Sequence, residues 1–321
     1  MIYIHKDTLY SDKQHLVFKA LLDKRKIDNV VLDLQDLDVV NKLNPTPDDV
    51  MIARFAHHKE DKLKTESVII KLSQKFKHMY PSVNSYSYYD DKFSQYVFML
   101  NNKLPCLETF VAESKEDIEK LDMDFPIVTK KTWGAGSEQV NYFETLDSVV
   151  DDETTRSWTG DSIYPCLVQE YEDVDYDIRI HIYNNKALFY KRIHKWKTEN
   201  RSNFPYGGWP TPVEERIKNK LPPFDYPWPK DLPESEIEDV IPFTEKINHI
   251  QRNLLDTYCM SWDLLKTNSG YKIVEFSVIA SLDIGIPYFY YDLVEKEFVT
   301  LSRRKSIHFL YEEIINSYIR I

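Results

Sequence analysis

The chain has 321 residues, of which 42% are apolar and 29% charged, and its formal net charge is −11. This composition is ordinary for a globular protein long enough to form two or three packed units. The acidic charge argues against a general nucleic-acid binder, whose surface is basic. Three widely spaced cysteines form neither a disulfide framework nor a zinc-ligand spacing, and no apolar run reaches the length of a membrane span, so we expect a cytoplasmic protein without membrane insertion.

The first segment, residues 1–88, alternates short strands with helices. Strands are predicted over 2–4, 30–34 and 50–55, and a helix over 68–76. This alternation predicts an N-terminal α/β domain. The segment has no glycine-rich phosphate turn, so we do not expect it to hold a nucleotide.

The second segment, residues 89–163, contains a glycine loop directly after a strand. The pattern predicts a helix over 91–100, strands over 108–112, 126–130 and 139–143, and a helix through 146–150. The loop follows Lys130 and contains Gly134, Gly136 and Ser137, in a chain with only seven glycines. Backbone N–H groups of such loops bind phosphate oxygens, although a tight turn between two strands is the alternative. We predict a small α+β lid.

The third segment, residues 164–321, contains the clearest hairpin. Apolar and polar residues alternate over 177–192, and Asn184-Asn185 suits a two-residue turn because asparagine tolerates positive φ. This register places Arg179 opposite Tyr190. Arginine is a bidentate ligand for phosphate or carboxylate, whereas salt bridging along the hairpin face is the alternative role. The arginines to which this applies are Arg179, Arg192 and Arg201.

A second hairpin is predicted over 260–277 and carries two acidic residues. The turn at 267–270 brings Asp263 opposite Val274 or Glu275, and Glu275 shares a face with Ser277. Two carboxylates on neighbouring strands repel unless a cation lies between them, and hard oxygen ligands suit Mg²⁺ bound to nucleotide phosphates. The alternative is a pair of exposed acids at strand ends.

Helices are also predicted over 245–258 and 307–318 from their apolar spacing. Between the hairpins, residues 205–233 contain eight of the sixteen prolines. The aromatic residues in this stretch favour an ordered excursion beside the site over a disordered linker.

The order of these motifs resembles that of ATP-grasp enzymes, in particular the glutamate-ligase type that forms amide bonds on peptide or protein ends. The motifs are a lysine before a helix, the lysine–glycine loop, Gln-Glu-Tyr at 169–171, Asp-Ile-Arg at 177–179, Arg-Ser-Asn at 201–203 with Gly-Gly at 207–208, Asp-Leu-Leu at 263–265 and Glu-x-Ser at 275–277. The resemblance implies an α/β ATP-grasp fold with an α+β lid. It implies three parts: a Rossmann-like domain at 1–88 that precedes the ATP-grasp unit, the lid at 89–163, and a C-terminal subdomain with the metal site at 164–321.

The resemblance also implies roles for individual residues. The lysines and the glycine loop would contact ATP phosphates, the Gln-Glu-Tyr segment would form the hinge against adenine, and Asp177 would lie near the ribose. The ATP-binding residues would be Lys92, Lys130, Gly134, Gly136, Ser137, Gln169, Glu170, Tyr171 and Asp177. The reacting centre would be formed by Arg179, Arg192, Arg201 and Asn203, and the ligands for Mg²⁺, with Mn²⁺ as the alternative ion, by Asp263, Glu275 and Ser277. The third metal position is normally asparagine in this family.

The activity that the resemblance implies is ATP-dependent ligation of a carboxylate to an amine through an acyl phosphate, with release of ADP and phosphate. The expected partners are a small-molecule, peptide or saccharide carboxylate and an amine, without nucleic acid, and a homo-oligomer is compatible with the sequence. Two alternatives are a kinase on the same fold and a nucleotide-binding module without turnover.

Overall fold

The computed structural model describes residues 1–6, 14–55, 59–134, 140–149, 162, 164–174, 176–193, 232, 234–279, 289–301 and 308–319. These residues form three sheets, each with helices at its side or ends. Within them, no helix combines the length and apolarity that crossing a membrane requires.

The first sheet is parallel and has the strand order β2-β1-β3-β4. Its strands are β1 (Ile2–His5), β2 (Asn29–Leu32), β3 (Val50–Ile52) and β4 (His78–Tyr80), and its helices are α1 (Gln14–Lys24), α2 (Leu37–Lys42), α3 (Lys59–Lys75) and α4 (Val83–Tyr86). The predicted strands and the predicted helix are confirmed, although β3 ends at Ile52. Strand β4 and helices α2 and α4 are too short to produce a clear sequence period.

The second sheet is antiparallel and has the order β5-β8-β6-β7. Its strands are β5 (Thr109–Ala112), β6 (Ile127–Lys131), β7 (Val140–Phe143) and β8 (Cys166–Glu170), with helices α5 (Lys92–Asn101) and α6 (Lys115–Glu119). The predicted strands and the helix starting near residue 91 are confirmed. The helix predicted through 146–150 is a single 3₁₀ turn, Leu146–Ser148.

The third sheet has six strands in the order β12-β11-β9-β10-β13-β14, all antiparallel. The strands are β9 (Tyr176–Tyr183), β10 (Lys186–Ile193), β11 (Cys259–Thr267), β12 (Gly270–Ser277), β13 (Phe289–Asp292) and β14 (Glu297–Thr300). Asn184 and Asn185 both have positive φ, at 50° and 65°. The predicted turn and the predicted pairing of Arg179 with Tyr190 are therefore confirmed.

Two longer helices pack on the six-stranded sheet, α7 (Glu234–Asn253) and α8 (Phe309–Tyr318). The sequence predicted a helix from 245 to 258, but α7 begins and ends earlier. Its first turns are acidic and contain Pro242, which weakens the helical signal there, while Ile237 and Val240 are buried against the sheet.

The six-stranded sheet separates two apolar clusters. On one face, residues such as Ile180 and Trp262 pack with residues of α7. On the other face, Tyr183 and Leu188 pack with α8 and with the first sheet. This second face becomes polar toward Asp177 and Asp263, where it meets the second sheet and forms the candidate site.

Candidate active site

The two predicted acids face each other across a hairpin. Asp263 on β11 pairs with Glu275 on β12, and a β-bulge follows directly after Asp263. Trp262 and Phe276, which alternate with the acids, pack against each other behind the sheet at a ring distance of 4.8 Å. Asp263 is only 2% exposed, so the alternative of two exposed acids at strand ends is wrong for this residue.

Arg179 neutralises Asp263. Strand β9 lies beside β11 and pairs Arg179 with Asp263. The Arg179 Nε and Nη2 atoms each donate to one Asp263 carboxylate oxygen at 2.7 Å, a bidentate pair. This contact uses two of the five N–H donors of the guanidinium and fixes the orientation of both side chains.

Lys130 reaches the same acids from the second sheet. It lies near the end of β6 and is buried, with 7% of its surface exposed. Burial lowers the pKa of Lys130 to about 8, while the nearby charges of Glu275 and Asp263 raise it and Lys92 lowers it further. The charge of Lys130 is therefore only partly compensated, and an additional anion would stabilise its protonated form.

Lys92 connects the glycine loop to the hairpin. Asp91 caps α5 by accepting from Ser94 N at 3.0 Å, which places Lys92 in the first turn of the helix. The Lys92 ammonium donates to the Gly134 carbonyl and lies 3.9 Å from Glu275 Oε2.

Gly134 has the backbone conformation that the sequence suggested. Its φ is 137°, a region that residues with a Cβ rarely adopt, and its N–H donates to the Asp90 carbonyl at 3.1 Å. The Lys92 N–H donates to the Thr132 carbonyl at 2.9 Å, so the start of the loop is fixed to the start of α5.

At the end of β8, Gln169 presents an acceptor oxygen in a fixed orientation. The Thr109 hydroxyl donates to the Leu107 carbonyl at 3.0 Å, and it therefore accepts from Gln169 Nε2 at 2.7 Å. Gln169 Oε1 is buried and has no hydrogen-bond partner among the described residues. A ligand N–H donor would satisfy it.

The next two residues are those predicted to form the hinge against adenine. Glu170 is exposed and pairs with Ile127 of β6. The Tyr171 N–H donates to the Pro126 carbonyl at 3.0 Å, and its ring contacts Tyr142 edge-on at 4.9 Å.

A cleft between the second and third sheets joins most of these residues. Its lining is formed by Lys92, Leu107, Val128, Lys130, Val140, Gln169, Glu170, Glu172, Asp177, Leu265, Val274 and Glu275. Six of the predicted ATP or metal residues therefore line one cleft. The sequence missed its apolar walls, because Val128 and Val140 were interpreted only as strand core. Since side chains two apart share a strand face, the spacing of Val128 from Lys130 could have revealed the first of them.

A second hollow runs along α5 and is lined by uncharged residues, among them Phe93, Val97 and Leu254. It lacks the cations that a polyphosphate requires.

Other predicted residues lie apart or outside the described residues. Ser277 pairs with Ser261, whose hydroxyl is hydrogen bonded to His181 Nδ1. Arg192 pairs with Asp177 along the strands, as predicted, but only its backbone is described. Gly136, Ser137, Arg201 and Asn203 lie outside the described residues, as does the proline-rich stretch from 205 to 231.

The paired acids fit a magnesium ion. Among the described residues, no three His, Cys, Asp or Glu side chains converge as a metal site. Mg²⁺ is usually held by one or two carboxylates together with waters and substrate phosphates, so Asp263 and Glu275 suffice. A carboxylate offers about four acceptor positions, and Asp263 can therefore bind a cation while it accepts from Arg179.

No family model and no curated protein matches the chain. Solved structures do match it. D-alanine–D-alanine ligase from Bacillus anthracis complexed with ATP has a TM-score of 0.55 and 16% identity, covering 99% of this chain and 97% of the other. The RimK domain protein ATP-grasp from Sphaerobacter thermophilus has a TM-score of 0.51 and 13% identity, covering 88% and 93%.

A third match is the ATP-grasp ligase PsnB complexed with the precursor peptide PsnA2 and AMPPNP, with a TM-score of 0.53 and 13% identity over 88% of this chain and 90% of the other. At these identities the likeness concerns the fold. It agrees with the order of motifs in the sequence and with the two sheets that enclose the cleft. The chain therefore has the fold of these ATP-grasp structures.

Proposed function

We propose that this protein is an ATP-dependent carboxylate–amine ligase that forms an amide bond through an acyl phosphate. The observation that carries the proposal is that Lys92, Lys130 and Glu275 line one cleft, with Asp263 paired to Glu275 and held by Arg179. Two cations from α5 and the second sheet and two carboxylates from the six-stranded sheet are the elements that bind a polyphosphate and its magnesium. The D-alanine–D-alanine ligase with the similar fold was crystallised with ATP.

In this proposal the base of ATP lies at the end of β8. The acceptor oxygen of Gln169 is fixed by Thr109, so it favours a base that presents an amino group, as adenine does. Leu107, Val128 and Val140 supply apolar surface for the ring. Glu170 and Tyr171 form the hinge beside it.

The phosphates lie toward the hairpin. Lys130 and Lys92 neutralise phosphate oxygens, and Gly134 lies beside Lys92. Asp263 and Glu275 would hold Mg²⁺, which supplies charge neutralisation at the transferring phosphoryl group. Arg179 positions Asp263 through the bidentate contact, and its guanidinium supplies positive charge beside the reacting centre.

The chemistry follows from this placement. The acceptor carboxylate attacks the γ-phosphorus, and ADP leaves with the bridging oxygen. The amine then attacks the acyl carbon, phosphate leaves, and the amine loses a proton. The protein contributes by aligning the reactants and excluding water, because an acyl phosphate hydrolyses readily.

The acid and the amine are a small-molecule, peptide or saccharide carboxylate and its amine partner. PsnB, a ligase of similar fold, was solved with a precursor peptide, which makes a peptide carboxylate one class to test. Use of ATP and three free cysteines fit a cytoplasmic location.

A nucleotide-binding module without turnover is the second candidate. It is favoured by Ser277, where asparagine is usual, and by the occupation of both Asp263 oxygens by Arg179. A kinase on the same fold is the third candidate: it would transfer the phosphoryl group to a hydroxyl oxygen and release a phosphoester without using an amine.

Hydroxylamine distinguishes these candidates without knowledge of the amine. Acyl phosphates react with it to give hydroxamates, so a panel of amino acids, peptides and uronic acids is incubated with Mg²⁺, ATP and hydroxylamine. The ligase predicts ADP and one hydroxamate in equal amounts. ADP with a phosphoester would indicate the kinase, and ATP binding without ADP from any acid would indicate the binding module.

A further inference from the structure

The strand that carries Glu275 lies at the edge of its sheet. Among the described residues, β12 pairs with β11 on one side and makes only an isolated bridge, Ile273 with Cys106, on the other. An edge strand leaves backbone N–H and C=O groups without a ladder partner, so its position depends on other contacts. At Ile273 the N–H donates to the Pro105 carbonyl at 2.8 Å.

At Phe276 the backbone hydrogen bonds that a neighbouring strand would make are made by one side chain, that of Gln95. Phe276 N donates to Gln95 Oε1 at 3.0 Å, and Gln95 Nε2 donates to the Phe276 carbonyl at 2.8 Å. The same Nε2 donates to the Tyr88 carbonyl at 2.9 Å. One acceptor and two donors are thus used, and rotating the amide by half a turn would break all three bonds.

Gln95 is buried, with 3% of its surface exposed, and it lies one helical turn after Lys92 on α5. Residues three apart share a helix face, so Lys92 and Gln95 both face β12. Phe276 lies between Glu275 and Ser277. Its ring is held by Trp262 at 4.8 Å and Phe98 at 5.7 Å, so the backbone here cannot shift without disturbing the core.

We infer that Gln95 is a positioning residue for the cation site: its amide locks the backbone of β12 to α5 and thereby sets where Glu275 stands relative to Lys92 and Asp263. The inference rests on the proposed function only in treating Glu275 as a ligand for the nucleotide-bound cation. Gln95 itself contacts neither nucleotide nor cation. Its loss is expected to weaken the cation-dependent part of nucleotide binding and to leave the base contacts at Gln169 intact.

Two substitutions distinguish the role of the Gln95 acceptor oxygen from that of its donor nitrogen. Gln95→Glu keeps an acceptor for Phe276 N but loses both donors, and Gln95→Met removes all three bonds at similar volume. AMP-PNP affinity is measured by calorimetry with Mg²⁺ and with EDTA. Each variant is expected to bind Mg²⁺–AMP-PNP roughly tenfold more weakly than the parent, since Gln95→Glu loses two of the three buried hydrogen bonds and Gln95→Met loses all three. With EDTA, the affinity stays within about twofold, because the base contacts do not involve Gln95.

Hydrogen exchange supplies a readout that needs no nucleotide. The peptide covering 271–279 is expected to exchange faster in Gln95→Met, where Phe276 N–H loses its acceptor, and to remain protected in Gln95→Glu. This difference reports whether the amide, rather than general packing, holds β12.

Gln251→Glu is the matched control. Gln251 is equally buried, donates to the Ile182 carbonyl at 3.3 Å and accepts from Trp262 Nε1 at 3.2 Å on the other face of the sheet. It is expected to lower the melting temperature as Gln95→Glu does, without changing the effect of Mg²⁺ on AMP-PNP affinity.

Unchanged Mg²⁺-dependent affinity in both folded Gln95 variants would overturn the inference, as would an equal loss in the Gln251 control. A parent protein that binds no AMP-PNP would overturn both proposals. If the parent makes no hydroxamate yet its Mg²⁺-dependent binding requires Gln95, the ligase proposal fails and the role of Gln95 stands.

Discussion

Lys130 shows how one buried residue can be prepared for an anion. Its burial lowers its pKa to about 8 in spite of three nearby acids, so the protonated form is less favoured in the folded protein without ligand than in the unfolded chain. Bound phosphate oxygens would reverse this effect. A buried lysine with a lowered pKa is therefore informative only together with the cleft that it lines.

The nucleotide affinity is expected to depend on pH through Lys130. Because the phosphates bind the protonated form, affinity is full below about pH 8 and declines above it, by roughly tenfold between pH 7 and pH 9. AMP-PNP titrations across this range test it. Lys130→Arg is the control, since arginine stays charged, and its affinity is expected to vary little. The same decline in both proteins would place the titrating group elsewhere.

The stability of the protein without ligand is expected to change in the opposite sense. The folded pKa lies below the unfolded value of 10.5, so the unfolded state binds the proton more tightly and stability rises from about pH 8 upward. Lys130→Met removes the free-energy cost of burying a charged ammonium group, which destabilises the parent below that pH. Its melting temperature near pH 7 is expected to exceed that of the parent while nucleotide affinity falls. A variant that melts lower would contradict this account of the burial.

The two acids are expected to respond differently to loss of charge. Asp263 is buried and held twice by Arg179, so Asp263→Asn is expected to reduce the free energy of unfolding by about 3 kcal/mol. The Glu275 side chain is 31% exposed and lies 3.9 Å from Lys92. Glu275→Gln is therefore expected to change the free energy of unfolding by at most about 0.5 kcal/mol. Urea unfolding measures both, and both variants are expected to lose ADP formation.

A double-mutant cycle with Arg179→Met provides the control for this comparison. A coupling energy near zero between positions 179 and 263 would contradict the bidentate pair as a source of stability.

At the scale of the element, the β11–β12 hairpin places both acids, and its turn depends on Gly270. Gly270 has a φ of 106° and no heavy atom within 4 Å of where a Cβ would stand. Replacement by alanine therefore tests backbone conformation without a steric clash.

Gly270→Ala is expected to destabilise the protein by about 1 kcal/mol, because alanine resists positive φ. Thermal unfolding measures the loss. Gly270→Asn is expected to cost less, since asparagine tolerates this region. Equal stability of all three proteins would show that the turn relaxes freely.

Local sequence patterns predicted the helices and strands better than they predicted the contacts between distant segments. The alternation over 177–192 predicted the β9–β10 hairpin and its register. The turn at 267–270 predicted Asp263 opposite Val274 or Glu275, and the structure pairs it with Glu275. The bidentate contact of Arg179 with Asp263 joins residues 84 apart in sequence. This contact depends on β9 and β11 becoming neighbours in the sheet. The alternation of apolar and polar residues along one strand does not predict which strand will lie beside it.

The same distinction applies to the site. The lysines, the Gln-Glu-Tyr segment and the acids were predicted as site residues, and the structure brings Lys92, Lys130, Gln169, Glu170, Asp177 and Glu275 to one cleft. Their individual roles remain proposals. Gln95 was missed because a glutamine inside an amphipathic helix gives no signal for a partner 181 residues away.

At the scale of the whole molecule, the cleft is built from two sheets whose contributions differ in charge. The second sheet and α5 bring Lys130 and Lys92, and the six-stranded sheet brings Glu275, with its pairing partner Asp263 held by Arg179. An ATP-grasp fold accounts for this division, and the ligase proposal adds that a carboxylate oxygen attacks phosphorus between them.

The most direct test of that claim is the transfer of oxygen from the acid to phosphate. The acid identified with hydroxylamine is labelled with ¹⁸O in its carboxyl group and incubated with ATP, Mg²⁺ and the amine. Mass spectrometry then measures the ¹⁸O content of the released phosphate. The acyl-phosphate route predicts one ¹⁸O atom in each phosphate, because the attacking carboxylate oxygen leaves with phosphorus. Released phosphate without ¹⁸O, or ATP bound without turnover of any acid, would contradict the account.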